Sequence, residues 1–257
     1  LAVTFTNKAA SEMRGRVRKL VGADADRVLV STFHSACVRF LRTDIESIGY
    51  KRNFTIYDTD DTSRLLRNLA KEANIDVKAW PIAKMRSTVD KAKVKMQDAA
   101  AFAESRRAQI GDPMVRIYRA YEEYLKVSNA VDFNDLLNLT VRMFEEHPAV
   151  LARYRDRFRY IMVDEYQDTN LAQYKLIKLL AGEHRNLAVV GDDDQSIYGW
   201  RGAVVGNILR FDHHFEGARI IALTQNYRST NHILKAANAL IENNQARHQK
   251  SLWSTLG

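Results

Sequence analysis

Five short apolar runs, each ending in a polar cluster, constrain this chain more than any other feature. They cover residues 1–4, 27–30, 160–163, 187–190 and 219–223. The runs do not alternate apolar with polar positions, which is the pattern of strands covered on both faces. Stretches of helical periodicity separate them, so the sequence predicts an α/β fold built on a parallel sheet. The polar residues that follow are Thr4, Phe5, Thr6, Asn7 and Lys8 after the first run, and Ser31, Thr32, Phe33 and His34 after the second. Asp164 and Glu165 follow the third, Gly191 and Asp192 the fourth, and Thr224, Gln225 and Asn226 the fifth. The carboxyl ends of strands in an open parallel sheet share one edge, and ligands bind there. One such cluster reads as a helix cap; five predict a ligand-binding ledge.

Between residues 55 and 145 the pattern changes. Leu65, Leu66, Leu69 and Ala70 recur at helical spacing after a cap at Asp58, Thr59 and Asp60, and Ile117, Tyr118, Tyr121 and Leu125 mark a second amphipathic helix. An all-helical insert is expected here. Lys84, Arg86, Lys91, Lys93 and Lys95 make part of it basic, as a solvated helix face or, alternatively, a nucleic-acid contact. With 46% apolar residues and three prolines in 257, the chain has the composition of a folded protein. Its net charge of +8 favours a polyanionic partner, nucleic acid before membrane. Cys37 stands alone, so neither an intrachain disulfide nor a cysteine zinc cluster can form. No apolar run approaches the ~18 residues of a membrane span, and a reducing, cytoplasmic setting fits. The chain opens in mid-strand without methionine, which predicts that both ends are cut from something longer.

Three segments carry chemistry. In residues 161–170 an apolar strand delivers Asp164 and Glu165 side by side; strand alternation points them apart, so one can hold magnesium and the other can polarise a water. A bare pair of this kind also reads as a strand end capping the next helix. In residues 190–203 an acidic turn, Asp192, Asp193 and Asp194, leads into Gln195 and then Tyr198, Trp200 and Arg201. Those aromatics can stack on bases and the arginine can hold phosphate, or they can be core aromatics beside a turn. In residues 223–230 Arg228 is a planar, permanently charged donor suited to phosphate, or a residue pairing at a helix start.

Taken whole, and in this order, these segments resemble motifs II, III and IV of the UvrD/PcrA/Rep-type superfamily 1 DNA helicases. Residues 4–10 and 31–34 are similar to motifs Ia and Ib of the same family, and the likeness runs from Thr4 to about Trp253. The resemblance implies a RecA-like domain 1A over 1–54 and 146–226, a helical domain 1B over 55–145, and the start of domain 2A over 227–257. It implies that Asp164 binds Mg2+, that Glu165 activates the hydrolytic water, that Gln195 and Arg228 contact the γ-phosphate of ATP, and that Tyr227 stacks on adenine. It implies that Thr4, Phe5, Asn7, Thr32, Phe33, His34, Tyr198, Trp200 and Arg201 face single-stranded DNA, at single/double-strand junctions, in a bacterial, nucleoid-associated motor moving 3′ to 5′. The carboxylates of Asp132 and Asp135 are expected to cap the helix that follows them.

One expected part is not in the sequence. Enzymes of this class grip phosphate with a glycine-rich loop followed by lysine and Ser/Thr, and no Gly-x-x-x-x-Gly-Lys-Ser/Thr occurs; the first glycine is Gly15. The chain alone is therefore expected not to turn over ATP. Two other classes compete. A metal-dependent nuclease could use Asp164, Glu165, Asp168 and Asp192 to Asp194, and a non-enzymatic module could bind through the basic helical region.

Overall fold

The structure, a computed structural model, describes residues 1–107 and 111–256. It divides into two compact units: the first holds Leu1–Asp164 and Asn170–Ala188, the second Glu165–Thr169 and Val189–Gly257.

The first unit opens with β1 (Ala2–Thr4), α1 (Asn7–Val21), β2 (Val30–Thr32) and α2 (Phe33–Asp44). β3 (Thr55–Ile56) then leads into α3 (Thr59–Glu72), α4 (Ile82–Val94), α5 (Ala99–Ser105) and α6 (Pro113–Val127). After β4 (Ala130–Val131) come α7 (Phe133–Glu146), α8 (Pro148–Arg157), β5 (Ile161–Val163), α9 (Leu171–Ala181) and β6 (Leu187–Val189). The main sheet has the order β2-β1-β5-β6. β1 runs parallel to both its neighbours, with Thr4 opposite Thr32 and Val3 opposite Val163. The α/β class and parallel sheet expected from the sequence are observed.

The helices start where the sequence supplies caps. The side chains of Thr6 and Thr32 accept the first free backbone N–H groups of α1 and α2, and reciprocal capping boxes open α3 (Asp58 with Asp61), α7 (Asp132 with Asp135) and α9 (Asn170 with Gln173). α2 and α9 pack on α7. The Phe40 ring lies 4.7 Å from Tyr154, 5.8 Å from Phe158 and 5.9 Å from Phe144. This aromatic group, with Val3, Val30, Ile161 and Val163 from the strands, forms a core closed to solvent.

The region between β3 and β4 has its own core, in which Leu66, Met85, Ile117 and Tyr121 are fully buried. It is not wholly helical: β3 and β4 pair in parallel, Thr55 with Ala130 and Ile56 with Val131, so a short two-stranded clip closes its ends. Nor is its basic stretch a uniform solvated face. Lys93 is buried, and its Nζ lies 2.7 Å from both Asp132 Oδ2 and Asp135 Oδ1.

Several of the five apolar runs behave differently from expectation. Residues 22–27 wind into a 3-10 helix closed by the Val28 N–H on the Ala25 carbonyl, which delays the second strand to Val30. Residues 219–223 form no strand: Ile220, Ile221 and Leu223 are exposed, and no neighbouring strand among the described residues supplies the hydrogen bonds that an extended chain requires. Pairing begins only at Gln225, bridged to Trp253. Double coverage also fails at β5, where Ile161 and Val163 are buried but Met162 is exposed.

The second unit is built from short pieces: 3-10 turns at Tyr166–Asp168, Asp193–Gln195 and Gly199–Arg201, then α10 (Gly206–Leu209), α11 (Phe211–His214) and α12 (Asn231–Ile241). Its centre is partly polar. Asn207 is buried, and its Nδ2 donates to both the carbonyl and the hydroxyl of the buried Thr169. The Tyr166 ring meets Phe211 edge-on at 5.5 Å.

Candidate functional site

In the first unit, the shared direction of β2, β1 and β5 brings Thr32, Thr4 and Asp164 to one sheet edge. The Thr4 hydroxyl donates to Asp164 Oδ2 at 3.3 Å. Thr4 is buried at 1% exposure, so its contact is with the carboxylate and not with an outside ligand. Asn7 is exposed at the start of α1, after Thr6, which caps it. Phe33, at 2% exposure, presents no face to solvent; its ring meets Phe5 edge-on at 5.6 Å. Thr4, Thr32 and Phe33 are thus all buried at this edge. Phe5 and His34 are half-buried, and burial lowers the imidazole pKa of His34 from its ordinary value. The His34 ring stands 6.1 Å from the exposed Phe133.

In the second unit, Glu165 is exposed and adopts the left-handed conformation (φ 53°), a strained backbone state for a residue with a side chain. Its carboxylate is held by Gln167, whose Nε2 donates to Glu165 Oε2 at 2.8 Å while its Oε1 accepts the Asp192 N–H at 3.0 Å. Gln167 is buried, and it reaches Asp192 only because residue 191 is glycine: a Cβ there would lie 2.5 Å from Gln167 Oε1. Burial, then the charge of Glu165, raises the pKa of Asp168.

Further along, Gln195 Nε2 donates to Asp192 Oδ2 at 2.7 Å. The Arg201 guanidinium lies over the rings of Trp200 (4.5 Å) and Tyr198 (5.1 Å), and Trp200 is 74% exposed. The turn ends at Gly202 in the left-handed region (φ 85°). Arg228 is exposed; its backbone N–H is fixed by Asn226 Oδ1 at 2.9 Å, and its guanidinium pairs with no described residue. Tyr227 is exposed, its hydroxyl donating to Gln225 Oε1 at 2.9 Å.

The three aspartates that the nuclease reading needs as metal ligands are committed elsewhere. Arg247 grips Asp194 with two nitrogens, Lys250 bonds Asp192 and lies 3.1 Å from Asp193, and the His248 N–H donates to Asp193.

Residues 1–216 match the family model of the UvrD/REP helicase N-terminal domain. The chain belongs to the UvrD/REP helicase family. It is 47% identical over 254 residues to the ATP-dependent DNA helicase PcrA of Staphylococcus aureus (strain Mu50 / ATCC 700699), covering 99% of this chain and 35% of the relative. Identity to PcrA of Bacillus subtilis (strain 168) is 46%, over 99% of this chain and 34% of the relative. The chain therefore spans about a third of the length of these UvrD/REP-family relatives. No described helix is long and apolar enough to cross a membrane.

Sequence reasoning missed Gln167, Arg247 and Lys250. The family likeness covered them, but nothing in local periodicity connects a basic pair near residue 250 with an acidic turn more than 50 residues earlier. Only the chain path does so.

Proposed function

We propose that this chain is the part of an ATP-driven DNA helicase in which nucleotide sensing and strand binding meet, in a protein moving 3′ to 5′ on single-stranded DNA. One observation carries the reading. Gln195 and the exposed Tyr198–Trp200–Arg201 stack occupy one loop of the second unit, seven residues end to end. A polar group suited to a phosphate and a platform suited to a base therefore cannot move independently. Base stacking on an aromatic face tolerates any sequence, which suits a protein that travels along DNA.

The roles are those that the family resemblance implies, and the placements are compatible with them. Asp164, at the tip of β5 with a hydroxyl donor on one oxygen, is the carboxylate to hold Mg2+. Magnesium, when bound with ATP, neutralises charge developing on the phosphates. Glu165, exposed and oriented by Gln167, positions the attacking water. Gln195 and the exposed Arg228 contact the terminal phosphate, and Tyr227 offers its ring to adenine. Phe5, Asn7, Thr32 and His34 are the first unit's contribution to the strand path. We assign 1–54 and 146–226 to domain 1A, 55–145 to 1B and 227–257 to the start of 2A. Strand junctions are the substrate, and the setting is the bacterial cytoplasm.

Single-strand affinity tests the reading. Trp200→Ala should weaken binding of a labelled oligonucleotide by about 5- to 150-fold, the equivalent of one lost base stack at ~1–3 kcal/mol. Unchanged affinity would favour the basic helices of the first unit as the contact. Because no phosphate-gripping loop occurs in these 257 residues, the chain alone should release no phosphate from ATP. Turnover at ~1–100 s⁻¹ would refute that part. Manganese with labelled DNA should leave the strand intact; cleavage would revive the nuclease reading.

A further inference from the structure

We propose that residues 247–253 act as a strap, and that Arg247 and Lys250 are positioning residues for Gln195. The proposal deepens the helicase reading, on which only its functional consequence rests.

Three consecutive carboxylates in one tight turn repel one another. Here Asp192, Asp193 and Asp194 surround the turn Asp193–Gln195, and they are neutralised by a segment more than 50 residues later in the chain. Arg247 Nε and Nη2 each lie 2.8 Å from Asp194 in a two-pronged grip, with both side chains almost wholly buried. Lys250 bonds Asp192 and stands 3.1 Å from Asp193 and 3.3 Å from Asp194. Asp192 in turn accepts the carboxamide of Gln195 at 2.7 Å on its other oxygen. A chain of hydrogen bonds thus runs from Lys250 through Asp192 to Gln195. Gln195 itself is exposed, so Asp192 is what fixes its direction.

The same segment is anchored at its far end. The Trp253 N–H donates to the Thr224 carbonyl at 3.1 Å, and the Asn226 N–H to the Trp253 carbonyl at 2.7 Å. Asn226 Oδ1 then fixes the backbone of Arg228. Asn238 of α12 braces the middle of the strap through the Leu252 carbonyl at 2.9 Å. One strap therefore ties the turn carrying Gln195 to the loop carrying Arg228, the two groups assigned above to the terminal phosphate.

The test is spectroscopic. In the ¹⁵N-labelled chain, the side-chain amide protons of Gln195 should exchange with solvent about tenfold more slowly than those of the exposed Gln249, the effect of one charge-assisted hydrogen bond. Lys250→Met should collapse this difference, and Lys250→Arg should restore most of it. The buried Asn207 amide reports whether the second unit remains folded. If Lys250→Met abolishes the Asn207 signals, Asp194→Asn, which keeps both cations, decides on the same readout. Gln195 exchange unchanged in a folded variant overturns the proposal. In the full-length protein, Lys250→Met should lower kcat for DNA-stimulated ATP hydrolysis about tenfold with KM for ATP unchanged. A wild-type protein without such hydrolysis would sink the helicase reading and leave the Gln195 result standing.

Discussion

Lys93 in the first unit and Lys250 in the second each face more than one aspartate, but their surroundings differ. The Lys93 side chain is 3% exposed, and its partners Asp132 and Asp135 also form the capping box of α7. The Tyr121 hydroxyl donates to Asp132 at 2.9 Å, and the Tyr121 ring lies 5.0 Å from Lys93 Nζ. Burial alone would lower the Lys93 pKa, yet Asp135 and Asp132 together raise it, so the ammonium stays charged. Around Lys250 the side chain is 18% exposed, and the turn it holds leads directly to the exposed Ile197 and Trp200. One cluster joins α4, α6 and α7 inside an apolar core; the other shapes a loop whose large side chains Ile197 and Trp200 are exposed. A charge taken fully out of water is strongly coupled to its partners, because losing one leaves the others uncompensated. A partly exposed charge keeps some of its hydration, so losing one partner at the loop costs less.

This comparison is broken most easily at Lys93. Lys93→Met should cost about 3–5 kcal/mol in urea unfolding, since it strands two carboxylates in the core. The triple variant with Asp132→Asn and Asp135→Asn should recover most of that loss, because asparagine still caps α7 and no bare charge remains. If the single variant costs less than about 1 kcal/mol, the buried cluster is no more tightly coupled than the loop. A smaller effect is expected at the loop end. Gly191→Ala would place a methyl 2.5 Å from Gln167 Oε1 and 2.8 Å from Ile208 Cδ1. The forced shift should cost about 1–3 kcal/mol and should release Glu165 from Gln167, read as a changed Gln167 side-chain amide signal.

The two regions also differ in how far their sequences disclosed them. Strands β1, β5 and β6 were legible because their apolar runs are short and abut unmistakable polar ends. The helix starts at Asp58 and Asp132 were legible because capping depends on residues three apart, a range that local reading covers. Asp164, Glu165 and Gln195 stood out through the string of residues around them. The run at 219–223 misled because a strand is a pairing, and composition records only one of its partners. Phe5 and Phe33 look alike in sequence and follow level positions of β1 and β2, yet one is half-buried and the other closed off: Phe33 already belongs to α2, whereas Phe5 precedes α1. Lys93 sat among four other basic residues with nothing local to mark it as buried. The strap from Arg247 to Trp253 was invisible for the same reason: each of its contacts joins residues distant along the chain.

The smallest expected effect separates the clusters by pH. Burial and then Asp132 push the Asp135 carboxyl up to about 6, above the ~3.9 of an unfolded chain. A raised acid binds its proton more readily in the folded state, so its contribution to stability is complete below about pH 4 and is lost as pH rises through 6. Asp194 has the opposite sign: the Arg247 hydrogen bonds hold its pKa below the ordinary value, so its contribution is present above about pH 4 and is lost under further acidification. Asp192 behaves likewise, with the hydrogen bonds from Lys250 and Gln195 outweighing the upward push of burial. Burial lowers the His34 pKa, a contribution of opposite sign, so the comparison is with Asp135→Asn, which leaves His34 in place. Between pH 7 and 5, wild type should gain stability relative to Asp135→Asn, with a slope of at most about 1.4 kcal/mol per pH unit. Below pH 4, Asp194→Asn should become the less pH-sensitive chain. If both differences carried the same sign, the two clusters would share one electrostatic design, and the contrast between a locked core and a held loop would be lost.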